Sequence, residues 1–326
     1  MNMINTSTHW FLRIILPGLL MLGSCNPDQS SAPNADSLAF ANRKTTLSNA
    51  DAEPPQRIHM PPLPDTLTFA GEPVPLDRDD VREGVEYELV INTFRHSSTI
   101  FILKRIERWR PLIEKTLREK GVPTDFIYLA VAESEFKNNA RSYAGAMGMW
   151  QFMPATARDY GLHITADADM RRDPRLATEA AAEYLKWAHR HLGSWSLVAA
   201  SYNRGLSGTK NIMKEQQANN FWDLYMNPET ARYLYRLIAF KLILENPENY
   251  GYFLGPEDQY KPYQFKTVKV NRETNLIAFA KEHNTTYKAL RELNPWFNNT
   301  SNYRLRVPGN LSYEIRIPDQ KDIPGL

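Results

Sequence analysis

The sequence predicts a mainly α protein that ends in a small βααβ unit. Between about Asp79 and Asn246, apolar residues recur at three- and four-residue steps and seldom alternate with period two, which is the helical signature. Residues able to cap, start or stop a helix fall where those runs begin and end. After about Tyr263 the pattern changes to strand, two short helices and strand within about 55 residues.

In chain order, Val81, Val85, Leu89, Val90 and Phe94 make one amphipathic helix. Ile100, Leu103, Ile106, Trp109, Leu112, Ile113 and Leu117 make a second. Gly121-Val122-Pro123 separates them from a helix that begins near Thr124 or Asp125. Asp173-Pro174 supplies an N-cap and a first-turn proline for the helix through Tyr184-Leu185. Asn246-Pro247 closes the region, and a Tyr/Pro-rich connector runs from Tyr250 to Pro262. The last unit pairs a strand pattern at Phe265–Val270 with one at Tyr313–Ile317, around helical patterns at Leu276–Glu282 and Tyr287–Leu293.

Composition narrows the function classes. An apolar content of 42% with 23% charged residues suits a globular chain and excludes wholesale disorder. A net charge of +2 without a block of like charges gives no nucleic-acid footprint. The one cysteine, Cys25, excludes a disulfide framework within the chain. His9 and Arg13 precede an apolar stretch from Ile14 to Leu22, too short to span a bilayer but suited to a signal peptide. The stretch ends in Leu22-Gly23-Ser24-Cys25, which resembles the lipobox of bacterial lipoproteins. That resemblance implies cleavage before Cys25 and lipidation of its thiol. Residues 1–24 are thus expected to be a lipoprotein signal peptide. Residues 25–78, rich in Pro, Ser, Asn and Asp, are expected to be a flexible tether. The helical domain is placed at 79–248 and the small C-terminal domain at 264–318.

The chemistry centres on Glu133. Phe126 to Ala132 is apolar almost all round, the pattern of a buried helix, and Glu133 continues the face of Phe126, Leu129 and Ala130. A carboxylate there is costly unless paired or neutral, and desolvation raises its pKa toward that of a general acid. The residues alone leave a catalytic role and a salt-bridged core role equally open. Glu135 points to another face and reads as a solvated charge.

The flanking motifs carry a family resemblance. Glu133-Ser134-Glu135-Phe136, Ser142, Gly145-Ala146-Met147-Gly148-Met149-Trp150-Gln151-Phe152-Met153-Pro154 and Thr156-Ala157 resemble the signature of the soluble lytic transglycosylase family. Ser201-Tyr202-Asn203-Arg204-Gly205 resembles its Ala-Tyr-Asn-Ala-Gly segment, and Arg232-Tyr233 after Glu229-Thr230 its Thr-Arg-x-Tyr segment. The upstream helices point to the membrane-bound lytic murein transglycosylase D group of that family. This resemblance covers about 81–246 and implies a lysozyme-like α-helical fold around a glycan groove. It implies peptidoglycan glycan strands as substrate, no cofactor and no metal.

The resemblance also implies that Glu133 first protonates the glycosidic oxygen and then deprotonates the muramic C6 hydroxyl, leaving a 1,6-anhydro ring. By position it implies that Ser142, Gln151, Met153, Tyr202, Asn203 and Tyr233 contact the substrate or line the groove. Arg204 departs from the small residue usual after Tyr-Asn. Residues 264–318 resemble a LysM peptidoglycan-binding domain at Glu273-Thr274-Asn275-Leu276-Ile277-Ala278, Leu293-Asn294-Pro295 and Ile315-Arg316-Ile317-Pro318, with Arg272-Glu273 where a Gly-Asp pair is usual. A hydrolytic muramidase of the same fold and a non-catalytic glycan-binding lipoprotein remain alternatives. The expected location is the cell envelope, lipid-anchored, on the outer membrane facing the periplasm.

Two other clusters have simpler explanations. His189-Arg190-His191 cannot share one helix face as a metal site and reads as solvated surface. Asp167, Asp169 and Asp173 lack the glycine and final glutamate of a calcium loop, and capping accounts for them better.

Overall fold

Residues 58–298, 302–309 and 311–319 are described by a computed structural model. The expected signal peptide, Cys25 and the expected tether as far as residue 57 lie outside the described residues. From Pro61 the chain forms one compact unit.

A hairpin opens that unit, with β1 (Thr68–Phe69) antiparallel to β2 (Glu72–Pro73). The tether expected through residue 78 therefore needs correction, because Phe69, Val74 and Leu76 are buried in the core. Phe69 meets Phe126 edge-on at 5.7 Å between ring centroids. The prolines of this segment suppress any periodic pattern, yet an extended chain can still insert single apolar residues into a neighbouring core.

Eight helices follow in the helical domain. They are α1 (Asp79–Phe94), α2 (His96–Lys120), α3 (Ile127–Ser134), α4 (Pro154–Asp159), α5 (Pro174–Leu192), α6 (Trp195–Arg204), α7 (Leu206–Gln216) and α8 (Pro228–Glu245). A single 3₁₀ turn at Thr124–Phe126 leads into α3. Their ends follow capping chemistry. Gly121 stops α2 with φ 71°, a left-handed conformation that glycine adopts without strain. The Asp173 carboxylate accepts from the Arg175 and Leu176 amides above Pro174, and Asn227 caps α8 in the same way above Pro228.

α3 and α8 form the centre. Leu129, Ala130 and Val131 of α3, and Leu234, Leu237, Ile238, Ala239 and Ile243 of α8, have no exposed surface. Helices this apolar are stable only with neighbours on several sides. α3 packs on both α2 and α8, and α8 also packs along α1 and against α6. One buried charge crosses this packing. Glu88 of α1 accepts from Arg232 Nε at 2.7 Å and Arg236 Nε at 3.1 Å.

The C-terminal unit has the expected order. β3 (Phe265–Val270) pairs antiparallel with β6 (Tyr313–Pro318), placing Val268 opposite Ile315. Between them lie α9 (Leu276–Glu282) and α10 (Tyr287–Leu293), plus a short pair formed by β4 (Thr274–Asn275) and β5 (Arg304–Leu305). The mainly α class with a small βααβ unit stands as the sequence predicts. The unit is nevertheless docked on the helical domain and does not stand apart from it. Ala168 forms a bridge with Phe297, and both Trp296 and Phe297 are buried. Asp167 pairs with Arg306 at 2.6 Å, and Asp173 with Arg316 at 2.7 Å. Capping thus describes Asp169 and Asp173 but not Asp167, whose partner lies 139 residues away.

Candidate active site

Glu133 sits in the last turn of α3, half-buried, at the edge of the apolar centre. Tyr233, in the second turn of α8, donates its phenol to Glu133 Oε1 at 2.5 Å. Each of the two buried helices thus contributes one polar side chain at the same end of their packing. The bond crosses 100 residues of sequence and fixes the orientation of the carboxyl. Burial first, then the Glu133 charge and this hydrogen bond, raise the Tyr233 pKa well above the usual phenol value. Burial and the Glu133 charge do the same for Tyr202. Both phenols are therefore neutral donors near neutral pH, and they face the one carboxyl of the trio, Glu133.

The loop 140–153 closes against this pair. Ser134 Oγ, next to Glu133, donates to Met149 O at 2.8 Å and to Ala130 O at 3.0 Å. Tyr202 of α6 donates to Trp150 O at 2.7 Å. The Trp150 indole is fully buried and donates through Nε1 to Thr178 of α5. Within the loop, Met147 bridges both Arg141 and Phe152. Gly148 has φ +85°, and a Cβ built on it would lie 1.9 Å from the Arg171 carbonyl oxygen, so no larger residue fits.

The expected site residues divide into two sets. Glu133 and Tyr233 touch, and Tyr202 lies close enough for the carboxylate to raise its pKa. The others are used on backbone or scaffold. Ser142 Oγ accepts from the Ala146 amide at 2.9 Å, and Gln151 Nε2 donates to the Ala140 and Gly148 carbonyls. Gln151 itself holds a positive φ of 49°. Asn203 Oδ1 accepts from Thr230 Oγ1, joining the end of α6 to the start of α8. Met153 is the half-buried residue before α4. These roles leave Ser142, Gln151 and Met153 partly exposed on a shaped loop.

Glu135 is not the solvated charge expected from its helix face. It adopts φ 53° just past α3 and accepts from Ser98 Oγ and Lys137 Nζ, each at 2.6 Å. Burial opposes its charge, but those bonds and the nearby Lys137 and Arg95 outweigh it and hold the carboxyl below its usual range. Both its oxygens are committed to these partners. His189 also departs from expectation, stacking on Trp195 at 3.9 Å between centroids. Among the described residues, no group of three or more His, Cys, Asp or Glu is placed to hold a metal ion.

Residues 110–225 match the family model described as Transglycosylase SLT domain. That segment is similar to an SLT domain. Residues 266–321 match the Soluble lytic transglycosylase C-terminal LysM-like domain. Membrane-bound lytic murein transglycosylase D of Escherichia coli strain K12 is 28% identical over 256 residues, 76% of this chain and 56% of that protein. The chain thus spans little more than half the length of that relative. Peptidoglycan transglycosylase gp16 of Escherichia phage T7 is 38% identical over 97 residues, 29% of this chain and 7% of its own. A solved structure of an inactive mutant of the lytic transglycosylase Slt from Pseudomonas aeruginosa is 22% identical. It covers 47% of this chain and 26% of that one, with a TM-score of 0.37. The matched SLT segment holds Glu133, the loop and Tyr202, while Tyr233 lies eight residues beyond its end.

Sequence patterns did not single out Ser134 or Trp150 for roles of their own, although both stand inside the quoted motifs. Glu88 and Arg171 carry no local signal, because Glu88 pairs with Arg232 and Arg236 of α8 and Arg171 reaches the Gly145 and Phe152 carbonyls of the loop.

Proposed function

We propose that the protein is a peptidoglycan lytic transglycosylase with Glu133 as its single catalytic acid and base. The observation that carries this reading is the half-buried Glu133, held by the neutral Tyr233 phenol beside a glycine-shaped loop within the matched SLT domain. The names of the two curated relatives, a murein and a peptidoglycan transglycosylase, support the substrate class.

In this mechanism the Glu133 carboxyl gives its proton to the glycosidic oxygen as the bond from the muramic C1 to that oxygen breaks. The resulting carboxylate takes the proton of the C6 hydroxyl as O6 bonds to C1. The 1,6-anhydro ring closes, the proton count at Glu133 is restored and no water is consumed. Retaining glycosidases that use two carboxyl groups place them about 5–5.5 Å apart, the second acting as nucleophile. The commitment of both Glu135 oxygens to Ser98 and Lys137 supports a mechanism that does without such a nucleophile. Ser142, Gln151, Met153, Tyr202 and Asn203 would line or support the glycan groove.

Mass spectrometry of the muropeptides released from purified sacculi tests this. The mechanism requires 1,6-anhydro ends. Free reducing ends that take up ¹⁸O from labelled water would establish a hydrolytic muramidase instead, and no release at all would leave a glycan-binding protein.

We further propose that Cys25 is lipidated and holds the protein on the outer membrane, facing the periplasm. The run Leu22-Gly23-Ser24-Cys25 supports this, and Asn26 stands where an aspartate would signal inner-membrane retention. Cys25→Ala should move the protein from the membrane pellet to the soluble fraction. A variant still pelleting after a high-salt wash would refute that anchor.

A further inference from the structure

Arg171 is 6% exposed and ties the site loop to Asp169. Its Nη1 donates to Gly145 O at 2.8 Å and to Phe152 O at 3.0 Å, the two flanks of the turn that carries Gly148 and Gln151. Its Nε and Nη2 make a bidentate pair with Asp169 at 3.0 and 2.7 Å, the arrangement in which guanidinium and carboxylate fix each other's direction. Its own carbonyl fills the space that a side chain at Gly148 would need. One residue thus meets the loop at three points, Gly145, Gly148 and Phe152.

The other side of the segment around Arg171 belongs to the C-terminal domain. The Asp169 amide donates to Trp296 O at 2.8 Å, and Arg172 Nη2 to Phe297 O at 2.9 Å. Asp167 and Asp173, which flank the segment, are 4% and 3% exposed and pair with Arg306 and Arg316. A carboxylate this buried is stable only with its partner in place, so these two pairs fix where the segment between them lies.

We propose that the C-terminal domain braces the site loop through Arg171, which makes Arg171 a positioning residue for the reaction at Glu133. The inference rests on the transglycosylase reading above. It gives the small domain a part in the chemical step, separate from any capture of polymer. Directional contacts of this kind matter because a displacement of about 1 Å at a reacting group can reduce rate by about 10²-fold.

The test uses the full chain and two variants, Arg316→Met at the domain junction and Arg171→Lys at the loop. Lysine keeps the charge opposite Asp169 but cannot reach both carbonyls at once. Turnover is measured on short soluble glycan strands, and amide hydrogen exchange is followed by mass spectrometry. The brace requires kcat to fall about tenfold or more in both variants, with KM within about twofold of wild type. It also requires faster exchange in 140–153 while 228–245 stays protected. Unchanged exchange in 140–153 for Arg316→Met would overturn it, as would an equal rise in 228–245, which would mean general stabilisation only. If wild type itself failed to cut the strands, the transglycosylase reading would fall, while the exchange comparison would still decide whether the brace exists.

Discussion

The α3–α8 centre and the junction around residues 167–173 are both buried, but they are held by opposite chemistry. At the centre, residues such as Leu129, Leu237 and Ile238 exclude water on every side, and hydrogen bonds sit at its edges, Tyr233 to Glu133 at one and Tyr128 to Glu245 at another. At the junction, carboxylates and arginines face one another, and Asp167, Asp169 and Asp173 each have a guanidinium partner. Apolar burial is proportional to area and indifferent to direction, so it stabilises the centre without aiming any one atom. Ion pairs add little net stability once desolvation is counted, yet they specify position. The centre thus provides a rigid platform, and the junction aligns a loop upon it.

Four changes would break or sharpen this contrast. The largest effect belongs to Glu133→Gln, which keeps the volume and an acceptor for Tyr233 but removes the proton donor. Activity on sacculi should drop at least about 10²–10⁴-fold, with thermal unfolding unchanged. A folded variant that retained more than a tenth of wild-type activity would refute the mechanism. Leu237→Ala, in the part of the centre with no exposed surface, should lower unfolding free energy by about 2–5 kcal/mol. Its urea midpoint should fall with no change in denaturant slope, and a loss under 1 kcal/mol would mean the centre is less tightly packed than described.

Tyr233→Phe removes only the phenol oxygen. A hydrogen bond to a charged group contributes about 1.5–3 kcal/mol, so kcat should fall roughly 10- to 100-fold if the bond orients the carboxyl during reaction. A wild-type kcat would assign Tyr233 to packing alone. The smallest effect is at Glu72, whose carboxylate accepts from the amides of Trp195 and Ser196 and the hydroxyls of Ser194 and Ser196 at the start of α6. Burial alone would raise its pKa, but the Ser196, Trp195 and Ser194 bonds outweigh it and the net shift is downward. A lowered carboxyl pKa adds stability above the unfolded value, and this is lost as pH falls through the folded value. Glu72→Gln should therefore cost about 1 kcal/mol at pH 7, and the gap to wild type should close in acid, below about pH 4.5. A gap independent of pH would show that the charge is not involved.

Much of the helical domain was legible because its information is local. The runs Val81 to Phe94 and Ile100 to Leu117 became α1 and α2, and Asp173-Pro174 opened α5 as its residue types require. The apolar run before Glu133 already marked a carboxylate on a buried helix. The hairpin at 68–73 was missed because Phe69 enters the core as a single residue, without periodicity. Glu135 was misjudged for a similar reason, since Ser98 and Arg95 approach it from α2 and its N-terminal end.

By itself, the sequence determined the helical character of about 79–246, the Asp173-Pro174 cap, the β-α-α-β order of the last unit and the position of Glu133 beside its motif. All of these follow from spacings of a few residues, where backbone geometry and side-chain type act directly. Tertiary structure alone decided that Tyr233 reaches Glu133, that Arg171 joins Gly145 to Phe152, and that Arg306 and Arg316 seat the small domain on Asp167 and Asp173. Those contacts span from about twenty to more than a hundred residues. They exist only because folding brings residues distant in sequence together, and the buried carboxylates among them need a partner to be stable there.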